Sequence, residues 1–156
     1  MEVVRRSSDY ALRGLIYMAG FPQGTIFDVS SVARQLDIPS AFLYKIFQKL
    51  TSKKIICSHR GAQGGFSVVK NAGNISVRKI IEIIQGPVGL NKCLVKKSGE
   101  RSRTKKSCSQ QNGCSLNVQL DLIQKKLFKV LDKLTIKKLS RETKFNNSFD
   151  KRPAFS

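Results

Sequence analysis

The chain has 156 residues, with 29 Lys and Arg against 10 Asp and Glu, for a formal net charge of +19. Hydrophobic residues make up 40%, enough to build the core of one ordinary domain, so a disordered polymer is excluded. No apolar run approaches the roughly eighteen residues of a membrane span.

A charge excess of this size exceeds what solubility requires and predicts attraction to a polyanion, of which nucleic acid is the commonest in the cytoplasm. Binding to acidic membrane surfaces is the weaker alternative, because no basic amphipathic helix with an aromatic-rich apolar face stands out. The start, "MEVVRRSSDYALRGL", has no uncharged apolar stretch followed by a small-residue cleavage site, so a cytoplasmic location with reduced thiols is expected.

In chain order, the first periodic segment is "SSDYALRGLIYMAGFP". Leu12, Leu15, Ile16 and Ala19 fall at helical spacing, Ser7 or Ser8 can cap the start, and Gly20-Phe21-Pro22 ends it. Val29, Val32, Ala33 and Leu36 then predict a second helix of about two turns. Asp37-Ile38-Pro39 breaks the pattern, with Pro39 suited to the first position of a new helix. Leu43, Ile46, Phe47 and Leu50 continue at helical spacing, so two short helices are joined by a tight turn.

Beyond them the period changes. "KIICSH" and "FSVVK" read as short strands flanking the glycine-rich "RGAQGG", which is a hairpin wing. "NISVRKIIEIIQGP" predicts one more helix, capped by Ser76 and closed by Gly86-Pro87. In "LNVQLDLIQKKLFKVLDKL", Leu116, Leu120, Ile123, Leu127, Val130 or Leu131, and Leu134 form a heptad-like stripe of roughly thirty ångströms. So small a domain has no room to bury that stripe, and a second copy of the chain is its natural cover. The fold class is therefore mainly α with a small β-hairpin wing: a winged helix-turn-helix plus a long dimerisation helix. "RETKFNNSFDKRPAFS" reads as a mobile tail.

The second helix of the pair presents Ser40, Ala41, Tyr44, Lys45, Gln48 and Lys49 outward. Small and polar residues near a helix start can reach base edges in a major groove, and Lys45 and Lys49 are placed for phosphates. In the wing, Arg60 is suited to a narrow minor groove, with His59 and Gln63 beside it. Each of these faces could be ordinary solvated surface, but helix, turn, helix and wing all stand at the right offsets. Cys57 and His59 invite comparison with a nucleophile pair. No orienting group or oxyanion feature accompanies them, so Cys57 is expected to pack as a small hydrophobe and no enzyme is expected.

Cys93, Cys108 and Cys114 lie in a basic segment, with fourteen residues between the first two and five between the last two. A disulfide is disfavoured by compartment and by the odd count, and zinc sites prefer closely spaced cysteine pairs. An iron–sulfur cluster and a redox-active thiol both remain, and spacing alone does not separate them.

Three stretches carry a family likeness: "SSDYALRGLIYMA", "LDIPSAFLYKIFQKL" and the wing motif "RGAQGGF". With them, residues 1–90 resemble the winged-helix iron–sulfur regulators of bacteria typified by the IscR and NsrR repressors. The likeness extends to the long helix ending "LDKLTIKKL". It implies a dimeric repressor of a pseudo-palindromic operator on double-stranded DNA. It also implies a cluster held by Cys93, Cys108 and Cys114, 2Fe–2S in preference to 4Fe–4S. Two departures stand out. The insert "KKSGERSRTKK" lengthens the first cysteine gap, and Asn117 occupies the place of the histidine that IscR-like members use. Nitrite-sensitive members instead take an Asp from the partner's first helix, which makes Asp9 the candidate fourth ligand. The expected organisation is a DNA-binding domain over 1–86, a cluster loop over 87–115, a dimerisation helix with a short following helix over 116–139, and a tail over 140–156. A metal-free thiol sensor and a DNA-binding module without sensing are the alternatives.

Overall fold

The computed structural model describes residues 4–95 and 114–142, and apolar residues recurring every three or four positions make most of these helical. The elements are α1 (Arg6–Ala19), α2 (Val29–Leu36), α3 (Ser40–Ser52), β1 (Ile56–His59), β2 (Gly65–Val68), α4 (Val77–Gln85), α5 (Ser115–Lys133) and α6 (Ile136–Glu142). This is a helix-turn-helix with a two-stranded wing, followed by a long helix.

α1 starts at Arg6, with Arg5 at the N-cap and no side-chain cap. The expected cap by Ser7 or Ser8 does not form. Ser8 is fully buried, and its hydroxyl donates to Gln85 Oε1 at 2.8 Å. The Arg5 N–H donates to the same oxygen at 2.9 Å. A long-range amide has taken the place of a local cap, because a buried hydroxyl must be paired.

α2 does have a local cap. Asp28 accepts from the Ser31 N–H at 3.0 Å and the Ser31 hydroxyl at 3.1 Å. Its end is the left-handed Asp37 (φ 53, ψ 50), a conformation that a short polar side chain tolerates. Pro39 sits at the N-cap of α3, one place before the helical position expected for it.

The wing strands pair antiparallel, Ile56 with Val68 through His59 with Gly65. Phe66 also exchanges both backbone hydrogen bonds with Phe27, at 2.8 and 2.9 Å. The wing is thereby stitched to the segment that leads into α2. A Cβ on Gly65 would collide with the Phe27 carbonyl, so this approach requires glycine.

The core lies where α1, α3, α4 and the wing base meet. Leu15, Met18, Phe27, Val32, Leu43, Phe47, Leu50, Ile56, Ile80 and Ile136 are almost wholly buried, each worth roughly 1.5–3 kcal/mol of transfer energy. Ile136 belongs to α6, which packs on α1. The Val77 N–H donates to Leu134 O at 2.8 Å, and the Ile136 N–H to Ile75 O at 3.2 Å. α6 therefore runs past the expected boundary at 139 and closes the N-terminal core. The final residues of the expected tail lie outside the described ones.

α5 rests on α4 through Arg78. Its guanidinium lies 4.1 Å from the Phe128 ring centroid and bonds Glu82 at 3.1 Å and Asp132 at 3.0 Å. Partial burial opposes the charge, and the hydrogen bonds the guanidinium donates to Asp132 and Glu82 outweigh this, so the pKa is raised. The stripe expected on α5 is split. Leu116, Ile123 and Val130 are 55–61% exposed, while Leu120, Leu127, Leu131 and Leu134 are half-buried. Val118 and Leu122 are exposed as well. Among the described residues no helix is long and apolar enough to cross a membrane.

Candidate nucleic-acid interface and cysteine segment

Because α3 buries Leu43, Ile46, Phe47 and Leu50, its opposite face is left to solvent. That face, the first residues of α2 and the wing strands enclose an open groove of about 970 Å³. Ser40, Ala41, Tyr44, Lys45 and Gln48 form one wall, and Ser58, His59, Arg60, Gly64, Gly65 and Phe66 form the other. Seven of the nine residues expected from sequence to touch DNA thus line a single surface.

Tyr44 is 47% exposed, yet its ring stands edge-on to Phe66 at 5.9 Å. Phe66 in turn meets the buried Phe47 ring at 5.4 Å. The wing therefore holds the Tyr44 ring toward the groove, at little further entropy loss on contact. His59 Nε2 lies 2.7 Å from the Ser67 hydroxyl, a pairing that steadies the strand end next to Arg60. Asp28 is the one carboxylate among the lining residues. It is engaged in capping α2 through Ser31, where the helix dipole favours a negative charge.

Two expected contacts do not join the groove. Gln63 is exposed on the wing turn and is not among the lining residues. The Lys49 ammonium donates to Ile84 O at 2.8 Å, in the last turn of α4. It is drawn there by a helix-terminal carbonyl, and so does not face the groove. Sequence reasoning also missed Asp28, Ser30, Thr51 and Ser58. The capping pattern "DVSS" was the legible signal for the first two.

The cysteines divide in their placement. Cys93 lies in a short 3₁₀ turn, Lys92–Leu94, and its Sγ accepts from Asn117 Nδ2 at 3.2 Å. Asn117 is in the first turn of α5, the helix that Cys114 precedes as N-cap. Cys114 thus stands at the start of α5, and Asn117 reaches from the same first turn to Cys93. Cys108 and the basic insert lie outside the described residues. Gln124, 6% exposed, secures the same segment to α5 by accepting from the Leu90 N–H at 2.8 Å and donating to Leu94 O at 3.4 Å. Among the described residues no group of three or more His, Cys, Asp or Glu comes together. Asp9 pairs with Arg13 on its own helix at 3.0 Å. Cys57, expected to pack as a small hydrophobe, is exposed, because it points to the face opposite Ile56, the one buried residue of its strand.

The sequence profile of the Rrf2 family, described as iron-dependent transcriptional regulators, matches residues 4–142. The chain belongs to the Rrf2 family. An HTH-type transcriptional regulator found in two strains of Mycobacterium tuberculosis is 30% identical over 81 residues, which cover 52% of this chain and 50% of the relative. The chain thus matches about half the length of these curated relatives. Among solved structures, CymR, the global cysteine regulator of B. subtilis, superposes with a TM-score of 0.72 at 19% identity, over 92% of this chain and 99% of that one. IscR from T. potens gives a TM-score of 0.66 at 18% identity, over 89% and 86%. At such identities these neighbours carry the fold alone. They agree with the winged-helix class read from sequence, and the Rrf2 profile agrees with transcription regulation through DNA.

Proposed function

We propose that this Rrf2-family regulator is a homodimeric repressor whose hold on a pseudo-palindromic operator is set by an iron–sulfur cluster on Cys93, Cys108 and Cys114. The observation that carries DNA recognition is the groove, where a base-reading helix face and a basic wing line one open surface. Ser40, Ala41, Tyr44 and Gln48 would meet base edges, Lys45 a phosphate, and Arg60 with His59 the neighbouring minor groove. Gln63 and Lys49 are left out of this contact set.

The cysteine segment is suited to soft metal ligation. Cys114 is the N-cap of α5, where the peptide dipole favours the negative charge of a thiolate or of a cluster, and Cys93 is tied to the first turn of the same helix by Asn117. When bound, such a cluster supplies a redox- and iron-labile group. The chain's own part is to tie Cys93 to α5 through Asn117 and Gln124. Asp9 is the candidate fourth ligand, reaching across the dimer. Its exposed pair with Arg13 is worth about 0.3–0.5 kcal/mol, so releasing the carboxylate costs little. The second reading, a metal-free thiol switch, draws on the same cysteines and on the fold shared with a cysteine regulator.

One preparation tests both halves. Protein purified without oxygen is expected to be coloured, to contain iron and sulfide, and to enrich a two-fold symmetric sequence from a random duplex library. The spectrum separates 2Fe–2S from 4Fe–4S, and Cys108→Ala is expected to abolish it. Colourless protein with a reversible disulfide would establish the thiol switch instead. Failure to enrich any duplex would remove the groove reading.

A further inference from the structure

The end of α4 is a junction. Its last turn receives the Lys49 ammonium from α3, at 2.8 Å from Ile84 O. The next side chain, Gln85, accepts from Ser8 and from the Arg5 N–H at the start of α1. The chain then turns at Gly86, whose φ of +86° and ψ of −171° belong to a region open essentially to glycine alone. It enters the segment in which Leu90, Cys93 and Leu94 are bonded to Gln124 and Asn117 of α5. The end of α4 is therefore held by the recognition helix, through Lys49, and leads directly into the cysteine-bearing segment.

We propose that Lys49 is a positioning residue, which links the recognition helix to the state of the cysteine segment through the Ile84 carbonyl instead of contacting DNA phosphate. The inference rests on the sensing role proposed above. A helix-terminal carbonyl has no intrahelical partner and is the first to move when the following segment rearranges. If the segment is ordered, Ile84 O is fixed, Lys49 is held, and α3 is set relative to the wing. Disordering the segment frays the last turn of α4 and releases α3. The signal can shift DNA affinity only by favouring one of these two arrangements.

Lys49→Met keeps the aliphatic stem on an exposed helix face and removes the donor, while Lys49→Arg retains both donor and charge. The full-length protein is titrated with a selected operator duplex, by fluorescence anisotropy across a salt series. Each variant is measured in its anaerobic form and again after air and chelator. Wild type is expected to change affinity at least about fivefold between the two forms, the lower end of ordinary allosteric coupling. In Lys49→Met that ratio should fall to within about twofold of one, with the salt slope unchanged, and Lys49→Arg should restore it. A retained ratio, or a slope reduced by about 0.9 per subunit as for one lost phosphate, overturns the proposal. If wild type itself shows no change between forms, the sensing reading falls along with it. If wild type responds and Lys49→Met responds equally, only the role of Lys49 falls.

Discussion

Arg60 is the side chain on which the wing's proposed part in DNA recognition turns. It is exposed, follows the strand that ends at His59, and lines the same groove as Lys45. Replacing it by Ala is expected to weaken operator binding by about 1–3 kcal/mol, read by anisotropy at fixed salt, with an unchanged thermal midpoint because its side chain supports no core. Its placement was legible from the motif "RGAQGGF". The placement of Lys49 was not. Lys45 and Lys49 are equivalent by helical spacing, and only the position of the α4 terminus separates a groove-facing amine from one that satisfies a carbonyl. Ser8 offers the same contrast: a local capping rule was available to it, and a distant Gln85 claimed it.

Among the elements, α5 has two different faces. One is bonded to α4 and to the cysteine segment through Arg78, Asn117 and Gln124. The other exposes Leu116, Ile123 and Val130, spaced seven apart, which fits a helix-to-helix seam. Ile123→Glu is expected to turn a dimer into a monomer in sedimentation velocity at micromolar concentration. The fold should change by no more than about 0.5 kcal/mol, since the site is exposed in the single chain. A dimer that survives would show that this seam is not the interface. The periodicity announced the helix and its apolar stripe. It could not tell that Leu120, Leu127, Leu131 and Leu134 turn partly inward, because heptad and helical repeats coincide over so few turns.

For the whole molecule the dominant quantity is the charge of +19. A groove carrying Lys45 and Arg60, doubled in the proposed dimer and backed by the chain's basic excess, should release several counterions on binding. Operator affinity is expected to fall by at least about a hundredfold between 50 and 200 mM salt, in a titration that also includes a non-specific duplex. A flat response would contradict phosphate neutralisation as the source of affinity.

Composition, helical periodicity and the wing motif determined the expectation of a polyanion partner, the order of elements and most of the residues that line the groove. These are local properties, written in residue type and spacing. Three matters were decided only in three dimensions: that α6 closes the N-terminal core, that Cys93 lies against Asn117, and that the end of α4 receives Lys49 and Gln85's partners. Each depends on which groups far apart in the sequence meet once the chain is packed, and a one-dimensional pattern carries no information about that pairing.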